Sequence, residues 1–218
     1  MIAFTEQAIT GADKTFFQLR SDIVEGEIKA GSKLSEMELS TKYGVSRAVV
    51  REAINRLESC HLVERKPNIG ARVVALTLEG LIQLYQVRES LEGMAARLAA
   101  KNMTDAEIED LKGLLNTHFQ EVKGGKTYYQ EAGDVDFHYR IIVGSKNDHL
   151  ISMLVNGLYH LIRMYRVQLG MAGPRVSTAF DEHKHIVQAI SNRDEELAEM
   201  LMRRHILYSK QNIEARLR

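Results

Sequence analysis

The sequence predicts a mainly α-helical protein, an N-terminal winged helix-turn-helix followed by an all-α helical bundle. Three observations carry this prediction. Between residues 15 and 59, apolar residues recur at helical spacing in three runs, each stopped by a turn signal. Two short β-prone runs, Leu62–Arg65 and Ala71–Val74, then flank Pro67-Asn68-Ile69-Gly70, where a hairpin needs its turn residues. From Thr77 onward no strand pattern is left, only helical periodicity. The boundary falls near Leu76, giving domains 1–76 and 77–218.

Composition narrows the function classes. The chain has 218 residues, 44% hydrophobic and 27% charged, an ordinary mix for a soluble globular protein. Disorder, collagen and a disulfide scaffold are excluded, the last because Cys60 is the single cysteine. No apolar run approaches the roughly 18 residues of a membrane helix. The first twenty residues lack a basic start followed by an apolar core, so no signal peptide is read. A cytoplasmic protein with no membrane partner is expected. Charge cancels overall, 29 Lys+Arg against 29 Asp+Glu. Locally it does not: Lys42 to Arg72 holds seven basic residues and three acids, a net +4. Seven of the eight histidines lie beyond residue 100.

The elements follow in order. Phe16, Leu19, Ile23 and Ile28 mark a helix from Thr15 to about Glu27, ended near Gly26. Ser35-Glu-Met-Glu fits a capping box, with Ser35 and Glu38 satisfying free amides at the start of a short second helix. Gly44 ends that helix, and Ser46 caps a third that runs to about Glu58. In the bundle, helices are predicted at about 78–101, 104–122, 129–144, 147–170, 177–191 and 194–214. Thr104-Asp-Ala-Glu is a second capping box.

The third helix carries recognition chemistry. Val49, Val50, Ala53, Ile54 and Leu57 form its buried stripe. Arg47, Arg51 and Asn55 are four apart and share the outward face. Arginine can fork onto guanine O6 and N7, and asparagine onto adenine. Ser46 and the helix N-terminus suit a backbone phosphate, with Ser35 a further contact at the start of the second helix. Arg65, Lys66 and Arg72 on the wing suit flanking phosphates or a minor groove. A plain solvated face, with the arginines paired to Glu52 or Glu58, is the competing reading. The turn, the wing and the positive patch together favour double-stranded DNA. One such module reads few base pairs, so a homodimer on paired half-sites is expected, joined through the helical domain.

The stretch SKLSEMELSTKYGVSRAVVREAINRLESCHLVERKPNIGARV resembles the DNA-binding domain of GntR-family bacterial regulators. Leu34-Ser35-Glu36, Gly44-Val45-Ser46-Arg47, Val50-Arg51-Glu52-Ala53-Ile54 and Gly70-Ala71-Arg72-Val73 carry the match. Two places depart from the family pattern. Ala30-Gly31 stands where Pro-Gly is usual, and Cys60-His61 where Glu-Gly is usual, which bears on how the wing is set.

In the second half, Asp134 and His138 are helical neighbours on a row with Phe137, Ile141 and Ile142, so both are predicted to point inward. Asp136 and Arg140 fall on another face as a simple ion pair. His183 shares a row with Ala179, Phe180, Ile186, Val187 and Ile190. His205 shares one with Leu197, Leu201 and Tyr208. His185 lines up with Asp181 and Gln188 and should be solvated. Buried polar groups need partners. A single inward histidine is as readily a hydrogen-bonded core residue. Three with a carboxylate suit a divalent transition metal such as zinc or nickel. His118, His149 and His160 match no such row and are read as surface residues or as lying around the site.

This half is similar to the FCD effector domain of the FadR-type branch, in its shorter, six-helix VanR-like form. Val87-Arg88-Glu89 with Leu91-Glu92, Asp134 with Phe137-His138 and Ile141, Ser145 with Asn147 and Leu150, Glu182-His183 with Ile186 and Ala189-Ile190, and Met202 with His205 carry the resemblance. It implies Asp134, His138, His183 and His205 as metal ligands, in the floor of a pocket for a small organic acid. It also implies Arg88 facing that pocket, with Arg163 a second candidate. The expected function is a regulator whose operator affinity a small organic acid controls. Two alternatives are a metalloenzyme with an appended DNA-binding domain and a regulator whose metal is purely structural. Against the enzyme, Glu182 falls off the row of His183, leaving no inward general base.

Overall fold

The structure is a computed structural model and describes residues 10–67, 69–123, 136–169 and 175–217. The chain divides into two compact units: Met1–Leu76 with Gly157–Met164, and Thr77–Asn156 with Tyr165–Arg218. The segment 157–164 therefore groups with the first unit, which the sequence pattern alone does not indicate.

In the first unit, α1 spans Gly11–Val24, α2 Glu36–Tyr43 and α3 Arg47–Ser59. Helix α1 begins four residues before the predicted start at Thr15, because Thr10 and Asp13 close a capping box ahead of it. Ser35 caps α2 by accepting from the Glu38 N–H. The side chain of Glu38 is exposed, so half of the expected box is formed there. Gly44, at φ 65°, closes α2 in the left-handed region that glycine occupies without strain. Ser46 caps α3 by accepting from the Val49 N–H. Phe16, Leu19 and Ile23 of α1 and Val50, Ala53, Ile54 and Leu57 of α3 are all buried and form the core.

The wing is an antiparallel pair, β1 Val63–Lys66 and β2 Gly70–Val73, in the register Val63↔Val73 to Lys66↔Gly70. Between α3 and β1, His61 sits at φ 57°. It takes the left-handed conformation a glycine adopts freely, at a cost of about 1–2 kcal/mol for a residue with a Cβ. The wing therefore keeps a turn that the departure from Glu-Gly makes more strained.

In the second unit, α4 spans Leu78–Asn102, α5 Asp105–Lys123, α6 Phe137–Gly144 and α7 Asp148–Ile151. After the π-helical Ser152–Leu158 come α8 Tyr159–Leu169, α9 Arg175–Ser191 and α10 Glu195–Leu217, with residues 157–164 counted in the first unit. Helix α10 packs chiefly along α4 and α9. The Thr104–Glu107 box forms in both directions, capping α5. The helix predicted at 147–170 is interrupted by the π segment. There the buried positions step from Leu154 to Tyr159, five residues, which suits the wider π turn.

The face of α10 differs from the expected one by about one position. Its buried stripe is Ala198, Met202, His205, Ile206 and Ile213, whereas Leu197 and Tyr208 are exposed. Among the described residues, no helix is long and apolar enough to cross a membrane.

Candidate functional site

Two sites were legible as candidates, one in each unit. On α3 the side chains of Arg47, Arg51 and Asn55 are exposed together. Their ion-pair partner is neither Glu52 nor Glu58. Arg51 donates from Nε and Nη2 to the two carboxylate oxygens of Glu36, at 2.9 and 2.7 Å. Arg47 Nη2 lies 3.6 Å from the same carboxylate. Arg65 donates to Glu58 at 3.0 Å and also to the Asn55 side chain, tying the wing to the reading helix. Lys66 pairs with Glu64, two residues before it on β1, at 2.9 Å. Arg72 is half-buried and donates to the Gly31 carbonyl, so it braces the wing against the loop before α2. Ser35 and Ser46 both use their hydroxyls as helix caps.

The second site lies in the bundle. His138 comes from α6, His183 from α9 and His205 from α10, and all three are buried. Their ligand atoms lie within 4.8 Å of one another. His205 Nε2 is 3.3 Å from both His183 Nε2 and His138 Nε2. Nitrogens about 2.0–2.1 Å from one ion, at a tetrahedral angle, are about 3.3 Å apart.

The far sides of two rings explain their orientation. His138 Nδ1 lies 2.6 Å from Glu92 Oε2, and His205 Nδ1 lies 2.6 Å from Glu182 Oε2. A carboxylate at that distance accepts the Nδ1 hydrogen and leaves the Nε2 lone pair facing the other ring. Burial holds the His138 imidazolium form below its usual range, despite the pull of Glu92, so the ring is neutral and able to ligate. With the Nδ1 hydrogen of each ring given to its carboxylate, the two Nε2 lone pairs face each other. That arrangement is repulsive alone and is relieved by a cation. The third ring, His183, is stacked on Phe137 with centroids 4.0 Å apart. The three histidines therefore fit a transition-metal ion.

Charge is balanced around this cluster. Glu92 accepts from Arg88 on its own helix as well as from His138, and both members of the pair are almost fully buried. Burial disfavours the Glu92 carboxylate, but Arg88 and His138 outweigh it and hold its pKa far below the usual range. A cavity of about 10 Å³ is lined by Tyr85, Arg88, His138, Arg166, His183, His205 and Ser209. That is the space of about one water-sized sphere. That is room for a single ion and too little for an organic acid. The Tyr85 hydroxyl is buried and makes no hydrogen bond among the described residues.

Of the predicted residues, the structure brings together His138, His183, His205 and Arg88. Asp134 lies outside the described residues. Arg163 does not line the cavity; it belongs to the first unit, where it donates to Glu25 at 2.9 Å. Arg166, one turn later, lines the cavity instead. Asp136 does not form the expected surface pair with Arg140. It is buried, caps α6 through the His138 and Tyr139 amides, and pairs with Arg166. Its place is before the helix, not within it, so helical rows do not apply. Glu182, set aside as off its row, reaches across to α10. His118 is buried, His149 and His185 are exposed, and His160 accepts from Arg20 at 3.2 Å in the first unit. Glu92 stood within the stretch that carries the FCD resemblance but was given no role, and Tyr85, Arg166 and Ser209 had no motif to mark them beyond their helical spacing.

Comparisons with known proteins agree with this organisation. The gntR family of bacterial regulatory proteins matches residues 12–73, and the FCD domain matches residues 83–208. The Uxu operon regulator of Haemophilus influenzae is 31% identical, covering 86% of this chain and 76% of its own. The gluconate operon transcriptional repressor of Bacillus subtilis is 30% identical over 88% and 79%. A probable D-xylose utilization operon repressor of Paenarthrobacter nicotinovorans is 29% identical over 85% and 80%. Among solved structures, E. coli McbR/YncC superposes with a TM-score of 0.75 at 20% identity, covering 95% of this chain and 98% of its own. A GntR regulator from Rhodococcus sp. RHA1 gives 0.72 at 19%, over 93% and 96%. The family match and these relatives define the class as a DNA-binding transcriptional regulator. The chain belongs to the GntR family, with an FCD domain as its second half.

Proposed function

We propose that this regulator binds a divalent transition metal, zinc or nickel, through His138, His183 and His205, and that a small organic acid reaching this metal changes its affinity for operator DNA. The observation that carries the reading is the convergence of three Nε2 atoms in a buried cavity beside two guanidinium groups and the Tyr85 hydroxyl. Asp134 is the proposed fourth ligand.

The metal supplies open coordination positions for a carboxylate. Arg88 and Arg166 bring guanidinium groups, each already paired with a carboxylate, Glu92 and Asp136, and Tyr85 an unused donor. A cavity the size of one ion must widen to admit an acid. Acid binding therefore favours a rearranged state, and that difference in affinity between states is what coupling to DNA requires. The junction from Val73 to Glu79 is the proposed moving element. Operator recognition is assigned to Arg47, Arg51 and Asn55 for bases, and to Ser35, Ser46, Arg65, Lys66 and Arg72 for phosphates and wing placement. The working form is a cytoplasmic homodimer joined through the second unit, where Val87, Met94 and Met153 are large exposed apolar side chains a partner would cover.

The test is a DNA titration of the metal-loaded protein with a panel of sugar acids, hydroxy acids and dicarboxylates. The gluconate operon relative supports starting with sugar acids. At least one acid should shift affinity by about 5- to 150-fold, and Arg88→Ala should blunt the shift. Metal removal that lowers the melting temperature, with no acid altering DNA affinity, would instead favour a structural metal.

A further inference from the structure

The reading face has an acid at its centre. Glu36 is the first residue of α2, directly after the Ser35 cap, and its carboxylate meets Arg51 and Arg47 of α3. This placement is costly to overall DNA affinity, since it puts a negative charge where phosphates approach. Its geometry gives it a different use.

The Arg51 guanidinium has two usable edges. The side edge, Nε and one Nη2 hydrogen, is held by both oxygens of Glu36. The end edge, Nη1 and the other Nη2 hydrogen, meets no protein acceptor among the described residues. A fork onto guanine O6 and N7 needs two parallel N–H groups, and the end edge supplies them. Glu36 thus braces Arg51 without competing for the edge that reads. It also sits between two cations four residues apart on one helix, which would otherwise repel and splay. Electrostatics agree: the Glu36 carboxyl is held below its usual range by the Arg51 hydrogen bonds, so it is ionised at neutral pH.

We infer that Glu36 is a specificity-determining positioning residue: it aims the Arg51 end edge at a base and keeps the reading face from acting as a general phosphate binder. The inference rests on the assignment of Arg51 to a base. It makes the carboxylate a source of discrimination at a cost in raw affinity.

The test uses the full-length protein and a duplex library randomised over about 20 base pairs. Wild type, Glu36→Gln, Arg51→Ala and the double variant are each selected on the library, then titrated against the wild-type consensus and unselected duplex. Thermal melts confirm that each variant is folded. Glu36→Gln should bind unselected duplex more tightly, with a salt slope steeper by about one phosphate. It should lose discrimination about five-fold or more, at one base pair per half-site. In the Arg51→Ala background, Glu36→Gln should cause no further loss of discrimination. Unchanged consensus and discrimination in Glu36→Gln would overturn the inference. So would an equal loss with and without Arg51, or weaker binding to every duplex. If Arg51→Ala keeps full base preference while wild type selects a consensus, the assignment of Arg51 fails, and this inference with it. Enrichment of no sequence by the wild type would overturn both at the level of operator recognition.

Discussion

Glu182 accepts from His205 Nδ1 at 2.6 Å, so an acid beside one histidine of the cluster in sequence aims a different one in space. The carboxylate is partly exposed while the imidazole is buried. Removing such a partner frees the ring to rotate and lowers its basicity as a ligand. Glu182→Ala should weaken metal binding by about 10–100-fold with little change in fold. Competition titration against a chelating dye measures it; unchanged affinity would show that His205 needs no such support.

Glu92 should behave differently, because it also neutralises a buried arginine. Glu92→Ala leaves Arg88 charged, buried and without its carboxylate. That change should cost about 3–5 kcal/mol of stability as well as metal affinity. Urea denaturation of the metal-free protein separates the two effects. A loss of metal affinity at unchanged stability would mean that Arg88 finds another partner.

His160 makes the first unit acid-sensitive. Its ring accepts from Arg20, and burial, together with the Arg20 and Arg163 charges, pushes its pKa down to about 3. In the unfolded chain a histidine titrates near 6.5. Between these values the unfolded state binds a proton that the folded state refuses. The contribution is therefore fully present above about pH 6.5 and declines as pH falls toward 3, by up to about 1.4 kcal/mol per unit. His160→Gln keeps an acceptor for Arg20 and has no proton to bind. Its unfolding free energy should fall less steeply than that of the wild type between pH 7 and pH 5. Parallel slopes would show that His160 is protonated in the native state.

On DNA, Arg47→Ala and Arg51→Ala should each cost about 1–3 kcal/mol of specific binding and relax preference at one position per half-site. Lys66→Ala should weaken all sequences about equally and flatten the salt slope. Quantitative footprinting on operator and random duplex checks this. Arginine variants that lose affinity equally for both would be phosphate contacts.

The order of elements was legible because each unit announces its ends. Ser35, Ser46 and Thr104 cap helices where the sequence places them, and Gly44 takes the positive φ its position requires. Arg47, Arg51 and Asn55 were legible as one face, since helical spacing fixes which side chains share a side. His138 and His183 were legible by the same rule, whereas His205 was read inward on a row whose Leu197 and Tyr208 are exposed.

What the rows could not show is anything that depends on where two helices meet. Glu36 reaches the arginines only because α2 packs on α3. Glu92 reaches His138 from α4, and Glu182 reaches His205 from α9, each across a helix interface. Asp136 was misplaced because a cap residue lies outside the helical repeat. Arg166 and Arg163 are three residues apart on one helix, and spacing alone does not say which of them meets the cavity. The π segment shifted that register as well.

The central claim is that the three inward imidazoles form one metal site, and metal content tests it most directly. His183 and His185 are two residues apart, one buried in the cluster and one exposed. Elemental analysis of purified wild type, His183→Ala and His185→Ala after loading with zinc or nickel should give about one ion per chain for the wild type. His185→Ala should match it, and His183→Ala should lose most of the metal. Equal metal in both variants, or none in the wild type, would contradict the account.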